Sequence, residues 1–249
     1  MQDAGSTDGT LEKLAAWQKR LRACEALPAQ ISFSFVSEPD NGLYDGVHRG
    51  FERLSIPDAA FMAYLNGDDV LWPGAVASLA QVAEDLPDVD WLMGWVSEID
   101  QWGRVKSHNL GKVFPRPVIA AGLAESMHYD HIQQESTVWR KSLYDKAGGL
   151  HSSFKLAGDW DLWRRFAKHS DMVHLQSNIG AFCSRPGQLS ADIASYNNEI
   201  DATIPRDVRS YRMEKILENQ KALYVIFADL TEQGRWSLRK VSAGISFGK

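Results

Sequence analysis

Apolar residues recur at helical spacing in TLEKLAAWQKRLRACEAL and lie closer together in ISFSFVSE, the segment that follows. In TLEKLAAWQKRLRACEAL apolar residues lie three or four positions apart, as at Leu11, Leu14 and Trp17. This spacing predicts an amphipathic helix that ends at Pro28. The segment that follows, ISFSFVSE, predicts a strand.

The alternation of helix and strand continues along the next part of the chain. DNGLYDGVHRGFERL predicts a turn and a helix, and AFMAYLNGDD predicts an apolar strand that runs into a polar turn. PGAVASLAQVAEDL predicts another helix, with proline at its start. Such alternation is typical of a parallel sheet built from βαβ units, in which ligands bind at the carboxyl ends of the strands. The acidic turns around Asp40 and Asp69 both fall at such ends.

The central part of the chain departs from this alternation. WLMGWVSEID and WGRVKSHN, separated by a polar turn at Gln101, predict a β-hairpin. QESTVWR then predicts a strand, and GDWDLWRRFAKH predicts a helix that starts at Asp159.

The last part of the chain begins with two predicted strands, MVHLQ and IGAFCSR, and continues as a predicted helical tail. We therefore predict an α/β domain over residues 1–190 and a helical C-terminal extension over residues 191–249. The end of the extension carries basic residues between apolar ones, at Arg235, Arg239, Lys240 and Lys249. Such a segment either lies peripherally on an anionic membrane surface or packs as a helix on the catalytic domain or on a partner subunit.

Composition narrows the class of protein. With 249 residues, of which 44% are hydrophobic, the chain can bury a sizeable core. Its net charge of -5 argues against a nucleic-acid partner, because neutralising phosphates needs a basic face. Cys24 and Cys183 are far apart in sequence and indicate neither a disulfide framework nor a metal cluster, which favours a cytoplasmic location. We expect no signal peptide, because the N-terminal residues are polar, and no membrane span, because no apolar run approaches the necessary length.

Adjacent carboxylates at the end of a predicted strand are the first candidate site. Asp68 and Asp69 repel each other unless a cation or strong donors compensate. A divalent metal that bridges the phosphates of a nucleotide would supply that compensation. The alternative is a solvated Asn-Gly-Asp-Asp turn that precedes a helix.

Two further carboxylates allow a functional and a structural interpretation. Asp159 is either a general base or an ordinary helix N-cap. Glu135 lies in a strand-like segment, where an unpaired carboxylate facing the sheet is destabilising, whereas an exposed one needs no explanation. The group His128, Asp130 and His131 resembles a metal cluster, but we expect these side chains to be solvated.

The order of five motifs resembles that of a known enzyme family. Together, DAGSTDGT, SEPDNGLYDGVHRG, YLNGDD, QESTVWRKSLYDKAGG and AGDWDLWRRF resemble the family 2 glycosyltransferases, from Gln2 to about Ser190. The resemblance implies a GT-A fold, a Rossmann-like and mostly parallel sheet with flanking helices. The chain looks most like the bacterial transferases that assemble surface and exported polysaccharides.

The resemblance also implies where this chain starts within the family's fold. Members begin with a strand, a helix and a second strand that runs into a DGGSTDGT-like turn. The chain is therefore expected to start inside the second strand, so that the first strand and helix are missing.

The resemblance implies a donor site for a nucleotide-sugar. Asp3 is expected to contact the nucleobase, with Glu38 and Asp40 close by. Asp68 is expected near the ribose and diphosphate. Arg185, in CSRPGQLS, is expected to close over the diphosphate.

The resemblance also implies a metal and an acceptor side. Asp69 is expected to hold manganese or magnesium. Asp159 is expected to deprotonate a hydroxyl of a polysaccharide or lipid-linked acceptor, which attacks the anomeric carbon with inversion. Glu135 and Trp160 are expected near the acceptor.

Two other functions are compatible with parts of the sequence. One is a catalytically silent remnant, or a nucleotide-binding module of the same fold. The other is a nucleotidyltransferase, but the glycine- and lysine-rich phosphate loop usual near the N-terminus of such enzymes is missing from the sequence.

Overall fold

A computed structural model describes residues 1–24, 31–109 and 112–245. The chain forms two compact units. The smaller unit consists of Met1–Ser55 and Leu150–Lys155, and the larger unit consists of Ile56–Gly149 and Leu156–Lys249.

The smaller unit contains two short parallel strands and two helices. Strand β1 (Gln2–Asp3) pairs with β2 (Val36–Ser37), and the helices are α1 (Thr10–Arg22) and α2 (Leu43–Glu52). Both predicted helices are confirmed, although the predicted end of the first at Pro28 lies outside the described residues. The predicted strand ISFSFVSE is confirmed only at β2, and Ile31 is 55% exposed.

The larger unit contains a mixed sheet with helices. Its elements, in chain order, are β3 (Phe61–Met62), β4 (Val70–Leu71), α3 (Ala75–Asp85), β5 (Trp91–Asp100), β6 (Val105–Asn109), α4 (Arg116–Ala120), β7 (Thr137–Arg140), α5 (Lys141–Lys146), α6 (Gly158–Phe166), β8 (Val173–Ser184), α7 (Ile193–Thr203), α8 (Arg206–Glu218), β9 (Tyr224–Leu230) and β10 (Trp236–Ser242).

The sheet of the larger unit has the strand order β10-β9-β8-β5-β7-β3 in the described residues, with β4 paired to β8 and β6 to β5. The pairs β5–β8 and β8–β9 are parallel, and the other pairs are antiparallel. The α/β class is therefore confirmed. The prediction of a mostly parallel sheet is not confirmed, because the sheet of this unit is mixed: β6, joined to β5 by a tight turn, pairs antiparallel with it, and β7 pairs antiparallel with β5 and β3.

The predicted helical tail is wrong beyond α8. The segment Tyr224–Leu230 pairs antiparallel with Trp236–Ser242, and β9 also extends the sheet beside β8. The sequence YVIFADL is rich in β-branched and aromatic residues, which pack well on a sheet. Two of the basic residues noted near the C-terminus form ion pairs within the protein, Arg235 with Asp85 and Arg239 with Asp229.

A cluster of aromatic side chains joins α6 to the sheet. Trp163 of α6 lies 5.9 Å from Trp91 of β5 and 5.3 Å from Trp139 of β7, measured between ring centroids. Phe166 packs on the same rings, and all four side chains are almost completely buried. Each such ring pair contributes about 1 kcal/mol beyond the burial of its area. These contacts therefore hold α6, the helix that carries Asp159, against the sheet.

Candidate active site

Asp69 is buried at the junction of a turn and a strand. Its Oδ1 accepts the backbone N–H of Cys183 at 2.8 Å, and its Oδ2 accepts the side-chain N–H of Asn66 at 3.1 Å. The side chain is nearly inaccessible, with the whole residue 7% exposed. Burial raises the pKa of Asp69, against the effect of these hydrogen bonds. The interpretation of the motif as a solvated turn is therefore wrong for Asp69.

Asp68 points toward Arg185, at the carboxyl end of β8. Its Oδ2 accepts the Nε–H of Arg185 at 2.6 Å, and both side chains are partly exposed. This bond and the charge of Asp68 raise the pKa of Arg185. The structure thus brings together two residues that the family resemblance assigned to the donor diphosphate.

Glu135 lies in a one-turn 3-10 helix, Gln134–Ser136, immediately before β7. The predicted strand therefore begins two residues later than Glu135, at Thr137. The turn lies directly over β8, where a Cβ at Gly180 would come 2.1 Å from the carbonyl oxygen of Glu135. Glycine at position 180 is therefore what allows this turn to pack so closely on the strand.

The carboxyl of Glu135 is buried among other acids. Its Oε1 accepts the side-chain N–H of Gln134 at 2.9 Å, whereas its buried Oε2 has no donor among the described residues. Burial, then the negative charges of Asp69 and Asp159, raise the pKa of Glu135 to about 7. Two aspartates from distant segments of the chain therefore act on the carboxyl of Glu135 in the larger unit.

Asp159 lies in the first turn of α6 and is half-buried. The N-cap of this helix is Ala157, and the helix begins at Gly158. Asp159 therefore does not cap the helix, so the structural alternative for this residue is wrong. Its Oδ1 accepts the N–H of Trp160 at 2.8 Å.

Trp160, predicted on the acceptor side, lies in the core. The residue is 2% exposed, and its Nε1–H donates to the carbonyl of Gly122 at 3.2 Å. Its ring is therefore not exposed for stacking on a sugar. It anchors the residue next to Asp159.

In the smaller unit, Asp3 organises the turn that follows β1. Its carboxylate accepts the backbone N–H groups of Gly5 and Ser6, each at 3.0 Å, and the hydroxyls of Ser6 and Ser37. These bonds, with that of Ser37 the largest contributor, hold the pKa of Asp3 far below its usual value. Asp3 therefore stays ionised.

The other two acids predicted on the donor side also belong to the smaller unit. Glu38 forms ion pairs with Arg53 at 2.6 Å and with Arg49 at 3.5 Å. Asp40 accepts the N–H of Gly42 at 2.9 Å, and its carboxylate packs closely against Gly46. Both acids therefore order the loop that leads into α2.

The histidine cluster is more buried than predicted. His128 is 7% exposed and contacts Glu125 through Nδ1 and Ser210 through Nε2, at 3.1 Å for the latter. Asp130 instead pairs with Lys112 at 2.7 Å. The expectation that His128 is solvated is wrong, because the C-terminal helices cover it. In the described ranges, no group of three or more His, Cys, Asp or Glu side chains is arranged to hold a metal ion.

Tyr196 of α7 lies near this cluster, although no motif in the sequence indicates it. Burial, then the negative charges of Asp159 and Glu125, raise the pKa of Tyr196 well above its usual value. Tyr196 belongs to no recognised motif, and its segment was predicted only as part of a tail. Its proximity to Asp159 depends on chain folding that local patterns do not reveal.

Comparison with known proteins adds no assignment. The sequence matches no family model, and no curated protein matches it significantly. In the described part of the chain, no helix combines the length and apolar character needed to cross a membrane.

Proposed function

We propose that the protein is a metal-dependent, inverting glycosyltransferase of family 2 with a GT-A fold. It transfers a hexosyl or N-acetylhexosaminyl group from a nucleotide-sugar to a hydroxyl of a polysaccharide or lipid-linked acceptor. The observation that carries the proposal is the clustering of a buried carboxyl, Glu135, with Asp69 and Asp159: burial, then the charges of these two aspartates, raises the pKa of Glu135 to about 7. Such clustered, perturbed carboxyl groups are typical of catalytic sites.

Asp159 is the general base in this proposal. It is half-buried in the first turn of α6, where the helix dipole favours a negative charge. Its carboxylate takes the proton of the acceptor hydroxyl while the oxygen bonds to the anomeric carbon. The bond from that carbon to the diphosphate oxygen breaks on the opposite face, and the nucleoside diphosphate leaves with the electron pair.

Asp69 fits the requirements of a manganese or magnesium ligand. Each of its oxygens accepts one N–H, so lone pairs remain for a cation. Magnesium is commonly held by one or two carboxylates together with substrate phosphates and water, which suits a cluster that has few protein ligands. When bound, the cation would stabilise the negative charge of the departing diphosphate.

Arg185 supplies the second positive charge for the diphosphate. In the protein alone, this guanidinium pairs with Asp68 and is 47% exposed. A diphosphate carries more charge than one carboxylate and offers several acceptor oxygens for the planar guanidinium. Arg185 therefore exchanges Asp68 for the diphosphate when the donor binds.

Calorimetry with uridine diphosphate and guanosine diphosphate, each with and without manganese, tests the proposal. We expect manganese-dependent binding of one nucleotide by the wild-type protein, and loss of the manganese dependence in Asp69→Asn. Asp207→Asn is the control, because it removes the same carboxylate charge from an exposed position on α8.

Calorimetry together with an assay of sugar transfer separates the transferase from the alternatives. Metal-dependent nucleotide binding without sugar transfer to any polysaccharide acceptor favours a binding module. Failure of both nucleotides to bind in the presence of manganese favours a catalytically silent protein and contradicts the proposed function.

A further inference from the structure

Helix α7 contacts the backbone that leads into α6. The side-chain Oε2 of Glu199 accepts the N–H of Leu156 at 2.9 Å and the N–H of Ala157 at 2.9 Å. Ala157 is the N-cap of α6, and Leu156 directly precedes it. One carboxylate therefore holds both residues from a helix more than 40 positions further along the chain.

This contact supplies a side-chain hydrogen-bond acceptor at the N-terminus of α6, where the N-cap residue has none. Alanine has no side-chain acceptor, and Ala157 makes no side-chain capping hydrogen bond. The N-terminal end of a helix exposes N–H donors and carries a partial positive charge. The carboxylate of Glu199 provides an acceptor and a negative charge at this end.

The contact matters because Asp159 lies two residues after Ala157. The side chain of Trp160 is fixed by its bond to Gly122, and Trp163, one turn later on α6, is fixed in the aromatic core. Glu199 fixes the backbone before the helix. The position of the Asp159 carboxylate therefore depends on contacts on both sides of it along the chain.

A second observation places α7 beside Asp159. Tyr196 lies three residues before Glu199 on α7, so the two side chains share one face of the helix. The hydroxyl of Tyr196 is buried where the charges of Asp159 and Glu125 act on it. The face of α7 that carries Glu199 is thus directed toward the start of α6.

We infer that Glu199 is a positioning residue for the general base Asp159. This inference rests on the proposed transferase function and extends it to a segment beyond residue 190, where the resemblance to the transferase family ends. Glu199 does not touch the reacting atoms. It holds Leu156 and Ala157 so that the Asp159 carboxylate meets the acceptor hydroxyl at hydrogen-bonding distance.

The inference predicts an effect on turnover more than on donor binding. A displacement of about 1 Å in a catalytic group can reduce the rate about 100-fold. In the proposed function donor binding depends on Asp69 and Arg185, whereas Glu199 holds the backbone at Leu156 and Ala157. We therefore expect Glu199→Ala to lower kcat at least tenfold and to change KM for the nucleotide-sugar less than twofold.

Two variants and one control separate positioning from general damage. Glu199→Gln keeps an acceptor oxygen, and we expect it to retain most of the kcat that Glu199→Ala loses. Asn198→Ala changes the exposed neighbour on the same helix and should leave kcat unchanged. Thermal melting of each variant identifies protein that fails to fold. If Glu199→Ala does not fold, Glu199→Asp provides the test, because its side chain is one methylene shorter and should also lower kcat.

Hydrogen exchange, followed by mass spectrometry of peptides that cover residues 150–160, supplies a readout independent of activity. We expect faster exchange of the Leu156 and Ala157 amides in Glu199→Ala than in the wild type or Asn198→Ala. Unchanged exchange, or an unchanged kcat in an active enzyme, would overturn the inference. A wild-type protein without transfer activity would instead overturn the proposed function, and the exchange result would still decide whether Glu199 holds this backbone.

Discussion

The carboxyl groups of Glu135 and Asp69 form a buried pair in the larger unit. Glu135 is 6% exposed and Asp69 is 7% exposed, and the charge of Asp69 contributes to the raised pKa of Glu135. Burial also raises the pKa of Asp69, against the effect of its hydrogen bonds with Cys183 and Asn66. Two buried carboxylates that are both ionised repel each other strongly, so Glu135 holds the proton below about pH 7.

This pair predicts a fall in stability between about pH 4.5 and 7. Folding raises the pKa of Glu135 from 4.5 to about 7, so the folded protein holds this proton more tightly than the unfolded chain. The resulting stabilisation is complete below pH 4.5 and is lost as the pH rises to about 7. Its magnitude is about 3 kcal/mol.

Glu135→Gln tests this linkage. Glutamine does not titrate, so the decline in the free energy of unfolding across this pH range should shrink by about 3 kcal/mol. Urea denaturation at a series of pH values measures it. The ionisation of Asp3 does not interfere, because its strongly lowered pKa places its contribution below this range. If the free energy of unfolding fell equally with pH in the variant and the wild type, Glu135 would not be the titrating group.

Gly180→Ala should destabilise the larger unit. The added Cβ would overlap the backbone of Glu135, which cannot move without displacing the 3-10 turn. We expect a loss of about 3 kcal/mol, at the upper end for overpacking. Gly244→Ala is the control, because a Cβ there meets no atom within 4 Å. Equal unfolding midpoints for the two variants would contradict the close approach of the turn to β8.

Arg185→Ala should weaken binding of a nucleoside diphosphate about tenfold. Binding of the nucleoside alone should not change, since Arg185 binds the phosphates. The free energy of unfolding should change little, because the ion pair with Asp68 is partly exposed. Arg239→Ala, which breaks a comparable surface pair with Asp229, is the control for calorimetry. If Arg185→Ala and Arg239→Ala bound the diphosphate with equal affinity, Arg185 would not be part of the donor site.

Local sequence patterns predicted the elements that local interactions determine. The helix over Ala75–Asp85 and the hairpin of Trp91–Asp100 with Val105–Asn109 are confirmed, since each has a clear periodicity or turn signal. The two predicted strands MVHLQ and IGAFCSR form one strand, Val173–Ser184, whose register shifts beside β5 near Trp95. An irregularity in pairing of this kind has no strong signature in sequence.

The candidate site was predicted less completely than the elements that carry it. Motifs indicated Asp69, Asp159 and Glu135 individually, but the interaction of Glu135 with both aspartates depends on packing between distant segments. Glu199 and Tyr196 were missed because they lie in α7, in a segment interpreted as a tail. The strand β9 was mistaken for helix because its partners, β8 and β10, are known only once the chain folds.

The most direct test of the account is the rate of sugar transfer by Asp159→Asn, compared with the wild type and with Asp207→Asn. Asparagine keeps the size of the side chain but cannot accept the hydroxyl proton, so kcat should fall by at least about 100-fold. Manganese-dependent nucleotide binding should persist, because Asp69 is intact, and Asp207→Asn should behave as the wild type. Turnover by Asp159→Asn at the wild-type rate would contradict the assignment of Asp159 as the base.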